Sequence, residues 1–218
     1  SMDMLNHIGL KDIELEVGNL KLLSAVFEQL ELTDDQKKLL LPHIDKEEFE
    51  DVEDLLFQWQ IDEKKTNDLL RILREKDVDT LFDLIGDKEE LSAEINRLQE
   101  IMNLLHDQFS IDIAQINLGI VRGLDYYTGI VFEIEAPALG AEKQICGGGE
   151  YSLIDLFGGR DTPTAGFALG FDRTILAMQQ EKIDFPGGFL DFFIIPVDND
   201  LLKDAISIAQ CLRNMQYM

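Results

Sequence analysis

The sequence predicts an α+β fold, in which a long helical stretch interrupts a sheet and a second, smaller unit begins near the end of the chain. Three observations carry this expectation. Residues ~20–109 place apolar side chains at helical spacing, and from about Asp112 the texture switches to period 2. Strand-like runs then follow one another with no helical pattern between them, which favours an antiparallel sheet over a doubly wound one. The 218 residues exceed the ~100–150 typical of one domain, so two units, or one and a half, are expected.

Taken in order, "KDIELEVGN" alternates Ile13, Leu15 and Val17 with acidic residues and reads as a half-buried strand. "LKLLSAVFEQL" is a helix by its spacing. In "LTDDQKKLLL", Thr33 followed by Gln36 has capping-box spacing, and Pro42 is expected to close that helix. Asp45 to Gly86 is acidic and helical, with a core expected from Val52, Leu55, Leu56, Trp59, Leu69, Leu70, Ile72 and Leu73; Gly86 breaks it. Residues 88–109 set Leu91, Ile95, Leu98, Met102, Leu105 and Phe109 at steps of four and three, one stripe on one long helix packed within the chain.

Strands are expected at 113–121, 128–136, 142–146 and 164–171, separated by glycine-rich turns, with "DRTILAMQQEK" as a helix leaving the last of them. After the linker "DFPGG", "FLDFFIIPV" reads as a strand buried on both faces. "DNDLLKDAISIAQCLRNM" follows as a helix capped by Asp198 or Asn199.

Composition narrows the function classes. A net charge of -24 argues against nucleic-acid binding through a broad basic face; the acid is expected on solvated helix faces, leaving any RNA contact to local basic spots or to parts outside this chain. There is no unbroken apolar run of ~18 residues, hence no expected membrane span. Cys146 and Cys211 are far apart and fit a reducing interior, so the cytoplasm is the expected compartment. Three histidines provision a Cys/His metal site poorly, and none is expected. "SMDMLNHIGLKD" has neither a basic region nor an apolar signal core and reads as an expression scar followed by mid-domain sequence, so a cloned fragment is expected.

Three segments carry chemistry. In "GIVRGLDYYTGIVFEIEA", Arg122 offers a fork of donors to phosphate or carboxylate beside Asp125, Tyr126 and Tyr127, whose hydroxyls can orient a polar ring. A buried Arg122–Asp125 pair among core tyrosines is an equally open reading of that segment alone. "CGGGEY" brings Gly147, Gly148 and Gly149, which permit close backbone approach, directly before Glu150 and Tyr151. "GFALGFDR" sets Gly166, Gly170 and Arg173 where a strand runs into a helix, suited to a flat ligand and a polyphosphate. Neither a Walker loop nor a GxGxxG opening a βαβ unit is present.

These segments, within the 52 residues from Arg122 to Arg173, together resemble the histidyl-tRNA synthetases, a class II aminoacyl-tRNA synthetase family. "RGLDYYTG" is similar to that family's histidine motif, "GGGEY" to its second substrate loop and "GFALGFDR" to class II motif 3. The resemblance implies ATP-dependent activation of histidine and its transfer to tRNA(His). Arg122 would be catalytic and would also contact ATP; Asp125, Tyr126, Tyr127, Gly148, Gly149 and Tyr151 would bind histidine. Gly166, Gly170 and Arg173 would bind ATP, with Mg²⁺ accompanying the nucleotide on ligands not identifiable in this chain.

It further implies part of a class II antiparallel-sheet catalytic domain. Residues 1–19 would end its N-terminal half, 20–110 would form an all-helical insertion domain, 111–188 the C-terminal half, and 189–218 the start of an α/β anticodon-binding domain. The longer parent would be a homodimer without membrane association. Glu150 and Ser152 depart from the family's "GGGRYD", so charge beside the substrate loop is expected to be reversed. Nothing in residues 1–20 matches motifs 1 and 2, so the chain alone is expected to be inactive. The alternative weighed is a synthetase-like regulator, either the regulatory subunit of ATP phosphoribosyltransferase or a tRNA-sensing module.

Overall fold

A computed structural model describes residues 1–74, 76, 80, 89–121, 127–154, 157–160, 162–185, 191–215 and 217. It divides into two compact units, Ser1–Lys182 and Ile183–Met218. Among the described residues no helix is long and apolar enough to cross a membrane.

The first unit is built on one five-stranded sheet, in the order β2-β1-β3-β4-β5. Its strands are β1 (Glu14–Asn19), β2 (Ala114–Ile116), β3 (Tyr127–Glu135), β4 (Gln144–Tyr151) and β5 (Thr164–Leu169). β1 to β3, β3 to β4 and β4 to β5 are antiparallel, as the uninterrupted strand pattern predicts. β2 differs: it is shorter than expected and pairs with β1 in parallel, Leu15 opposite Ala114 and Val17 opposite Ile116. The helices between β1 and β2 provide the long crossover that a parallel pair requires.

Alternation along the strands separates two faces. Leu15, Val17, Phe132 and Ile134 lie on one, where Ile101 and Leu105 of helix α6 (Glu89–Asp107) approach them. The expected single helix from 88 to 109 is thus present, with Ile95 and Leu98 buried; its last stripe member, Phe109, is exposed. Helix α1 (Met2–His7), which the sequence pattern did not announce, sets Leu5 wholly inside. Helix α2 (Leu20–Gln29) follows β1 directly, capped by the Asn19 side chain.

The other face of β1 is not solvated, so the half-buried strand becomes a strand covered on both sides. Glu16 is buried as deeply as its apolar neighbours. Its carboxylate accepts from Asn117 Nδ2 at 2.7 Å and pairs with Lys76. Such partners are what make a buried carboxylate tolerable. Helices α3 (Asp34–Asp45), α4 (Phe49–Gln58) and α5 (Glu63–Arg74) bring Ile44, Phe49 and Leu73 to this side.

The capping box at Thr33 and Gln36 forms as its spacing predicts. Pro42, however, lies inside α3 and does not end it. The proline forfeits the bond its N–H would have made to the Lys38 carbonyl, and buried Leu40 and Ile44 hold that turn in place. Val52, Leu56, Leu69, Leu70, Ile72 and Leu73 are core as expected, whereas Leu55 and Trp59 are only half-buried. Gly86 lies outside the described residues.

In the second unit, helix α8 (Leu202–Asn214) forms where predicted, and Asp198 caps the 3₁₀ turn Asn199–Leu201 that leads into it. The expected buried strand does not form over the described residues 191–197; Phe193, Ile195 and Val197 are exposed. A strand exists only by pairing, and the described part of this unit supplies no second strand.

Two outcomes follow from these contacts. Thr33→Ala, which removes the capping box, is expected to cost about 1 kcal/mol and to lower Tm by roughly 2–4 °C, readable by circular dichroism melting. Glu94 of α6 accepts from Asn19 Nδ2 at 2.9 Å and pairs with Lys21 at the start of α2. Burial would raise its carboxyl, but the hydrogen bonds from Lys21 and Asn19, aided by the charges of Lys21 and Arg97, hold it below the ordinary range. A depressed carboxyl contributes stability above its unfolded pKa and loses it as pH falls through the folded value. Glu94→Gln is therefore expected to lower the urea midpoint at neutral pH, with the gap closing in acid; a gap independent of pH would contradict this linkage.

Candidate active site

The triple glycine that sequence patterning places in a turn region lies inside β4, between β3 and β5. Gly147, Gly148 and Gly149 stand opposite Glu133, Phe132 and Val131 on one side and Ala168, Phe167 and Gly166 on the other. A Cβ at Gly148 would come within 2.6 Å of the Phe167 Cβ, and one at Gly149 within 2.7 Å of the Ile130 carbonyl. Close backbone approach is thus what the glycines provide.

Tyr127 and Tyr151 are directly opposite in the β3–β4 register. Their ring centroids are 6.4 Å apart at 62°, an edge-on pair. The Tyr151 ring lies across Gly166, where a Cβ would meet its hydroxyl at 2.8 Å. Gly149 likewise leaves room for the Tyr127 ring. Both tyrosines therefore stand on the glycine-floored face of the sheet.

Beyond the glycines, helix α7 (Phe171–Gln180) starts with Gly170 as its N-cap. Arg173, in its first turn, donates from Nη1 to the Gln144 carbonyl at 2.9 Å and from Nη2 to Glu142 Oε2 at 3.1 Å. This guanidinium is 40% exposed, anchored yet accessible. An open cleft of about 840 Å³ runs along this floor, bounded by Tyr127, Gly147, Gly148, Ala168, Gly170 and Arg173. The structure brings together Tyr127, Tyr151, Gly148, Gly149, Gly166, Gly170 and Arg173. Arg122, Asp125 and Tyr126 lie outside the described residues.

Glu133 and Gln144 also border the cleft. Gln144 Nε2 donates to Glu133 Oε1 at 2.8 Å. Sequence reasoning passed over Glu133, although its alternation with Phe132 and Ile134 marked it as facing the opposite side from those anchors. A smaller cavity of about 310 Å³ adjoins the cleft through Ile120 and Glu133, and Glu16, Glu135 and Lys143 line it. Burial raises the Glu135 carboxyl, assisted by Glu16 and Glu47, although Lys143 at 2.7 Å opposes it. The Lys143 ammonium is in turn raised by its bond to Glu135.

Glu150 does not reverse the charge of the cleft. Adjacent to Tyr151 in an extended strand, it projects to the opposite face, where Arg97 of α6 engages its carboxylate. Among the described residues, His43, Glu48 and Asp51 are close enough together to share a metal ion. They are surface groups of α3, α4 and the turn between them, and none borders the cleft.

This geometry has counterparts in known proteins. The profile of the histidyl-tRNA synthetase family matches residues 1–174. The histidine–tRNA ligase of Methanococcus aeolicus is 40% identical over 99% of this chain, which covers 52% of that protein. The chain thus spans about half the length of the curated relatives it matches. Among solved structures, histidyl-tRNA synthetase from Nostoc sp. PCC 7120 superposes with a TM-score of 0.72 at 22% identity, over 99% of this chain and 54% of that one. An ATP phosphoribosyltransferase regulatory subunit/histidyl-tRNA synthetase from Bacillus halodurans gives 0.73 at 17%, over 99% and 55%. These two likenesses speak to fold. With the family profile covering the sheet, the paired tyrosines and the glycine floor up to the first turn of α7, this chain belongs to the histidyl-tRNA synthetase family.

Proposed function

We propose that the chain serves in a histidine–tRNA ligase, a cytoplasmic enzyme that activates histidine with MgATP and transfers it to tRNA(His). The observation that carries this reading is the pair Tyr127 and Tyr151 standing over Gly149 and Gly166, at one end of a floor whose other end is Arg173. A small ligand with a polar ring fits the tyrosine end, where phenol hydroxyls supply orienting hydrogen bonds. A polyphosphate fits the other end, where the guanidinium meets solvent at the start of a helix.

Gly148 and Gly149 let the histidine backbone approach the sheet, while Gly166 seats Tyr151 and Gly170 opens the path to Arg173. Arg122, with Asp125 and Tyr126 in the sequence just before β3, is assigned to the same site by its match to the family's histidine motif. Its role is to hold the carboxylate and α-phosphate together and to stabilise the charge that builds as they react. Mg²⁺ enters with the nucleotide as part of the substrate. The chain's acidity leaves tRNA contact mainly to other parts of a longer, dimeric protein. Residues 20–110 act as the helical insertion, and 189–218 as the opening of an anticodon-binding domain.

The fold shared with the Bacillus halodurans protein keeps a regulatory reading in view. Activation chemistry separates the two. Histidine-dependent ATP–pyrophosphate exchange is expected from the full-length protein and should fall by about a hundredfold or more in Arg122→Ala, the scale of losing a group that stabilises transition-state charge. Wild-type protein that binds histidine without supporting exchange would assign it to the regulatory class.

A further inference from the structure

Glu150 sits where β3 and β4 fall out of step. Tyr127 pairs with Tyr151 and Val131 with Gly149, so three β3 residues, Thr128, Gly129 and Ile130, face the single residue Glu150. Such a bulge disrupts the ladder locally, and the freed backbone groups need other partners. Glu150 supplies them. Its Oε2 accepts from the Ile130 N–H at 3.3 Å, and its backbone carbonyl accepts from Thr128 Oγ1 at 3.4 Å. The carboxylate lies so close to Gly129 that a Cβ there would overlap it.

From the other side, Arg97 grips both carboxylate oxygens, Nη1 reaching Oε2 at 3.1 Å and Nη2 bonding Oε1. Arg97 is also 3.9 Å from Glu94, which is tied to Asn19 and Lys21. One carboxylate therefore joins helix α6 to an irregular stretch of β3 that begins immediately after Tyr127. A fork-to-fork arginine–carboxylate contact fixes orientation as well as distance.

We propose that Glu150 and Arg97 are positioning residues for the ligand pocket. By pinning the bulge they hold the Tyr127 ring against Tyr151, and this rests on the reading of the tyrosines as the histidine end of the cleft. Neither residue borders the cleft itself; both act through the β3 backbone. A register slip of one residue in this stretch would turn its side chains to the wrong face. The side chains of Arg97 and Glu150 are 44% and 27% exposed, so the ion pair adds little to global stability. Its loss shows instead in the affinity for histidine.

The test measures pyrophosphate exchange in the full-length protein for wild type, Glu150→Ala, Glu150→Gln and Arg97→Glu. Glu150→Ala and Arg97→Glu are expected to raise KM for histidine about tenfold, with KM for ATP and Tm nearly unchanged. Glu150→Gln, which retains an acceptor for the Ile130 N–H but loses the charge that Arg97 grips, should fall between. A histidine KM for Glu150→Ala within about twofold of wild type overturns the proposal. Amide hydrogen exchange at Ile130 gives a readout independent of enzymology. Protection lost in Glu150→Ala supports the pin and unchanged protection refutes it, even if wild type shows no exchange and the ligase reading itself fails.

Discussion

The structure depends on β3 being buried on both faces while pairing on both edges. One face carries Phe132 and Ile134 into the apolar layer beneath α6, and the other carries buried Glu133 and Glu135 to the cleft and the smaller cavity beside it. Apolar burial alone organises the first face. The second needs a partner for each carboxylate, because an isolated buried charge costs far more than packing returns. Gln144 meets Glu133 and Lys143 meets Glu135, both from the start of β4; Asn117 and Lys76 meet Glu16 on the neighbouring strand. The polar face thereby ties Asn117 just after β2, Lys76 two residues past α5 and the entry to β4 to one strand pair.

The glycine-floored face follows from the same arrangement. A central strand stripped of side chains is weak by itself, since glycine loses more conformational freedom on ordering than other residues. Here β4 is held by β3 and β5 along its glycine run, and a Cβ would be obstructed by backbone at Gly148 and Gly149. The sheet thus acquires a bare strip bordered by Tyr127 and Tyr151 at one end and Arg173 at the other. Ligand-sized space arises without a gap in the core.

Local signals were legible wherever a short-range interaction decides the outcome. The capping box at Thr33, the stripe on α6 and the helix from Leu202 follow from spacing and cap chemistry alone. Arg173, Tyr127 and Tyr151 stood out because polar and aromatic groups occur beside glycines where a strand would otherwise be apolar. What could not be read is what depends on distant pairing. The parallel register of β2, the covered face of Glu16 and the absence of a strand over 191–197 are set by neighbours remote in sequence or missing from the described unit. Glu150 is the instructive case: next to Tyr151 in sequence, it is separated from it by the thickness of the sheet, and only strand alternation with the Arg97 contact reveals this.

The parallel pairing of β1 with β2 also constrains how the molecule forms. Asn19 and Ala114 end and begin neighbouring strands, so everything from Leu20 to Ile113 must be accommodated before their ladder closes. Pairing across so long a loop is entropically late, whereas α3, α4 and α5 rest on contacts close in sequence. During synthesis those helices emerge well before β3, the strand that covers the second edge of β1. A nascent chain therefore exposes β1 with both edges unsatisfied for most of the translation of this segment, and strands in that condition are the ones that aggregate. The acidic helices that emerge next surround it with like charge, which keeps other nascent chains apart until the ladder closes.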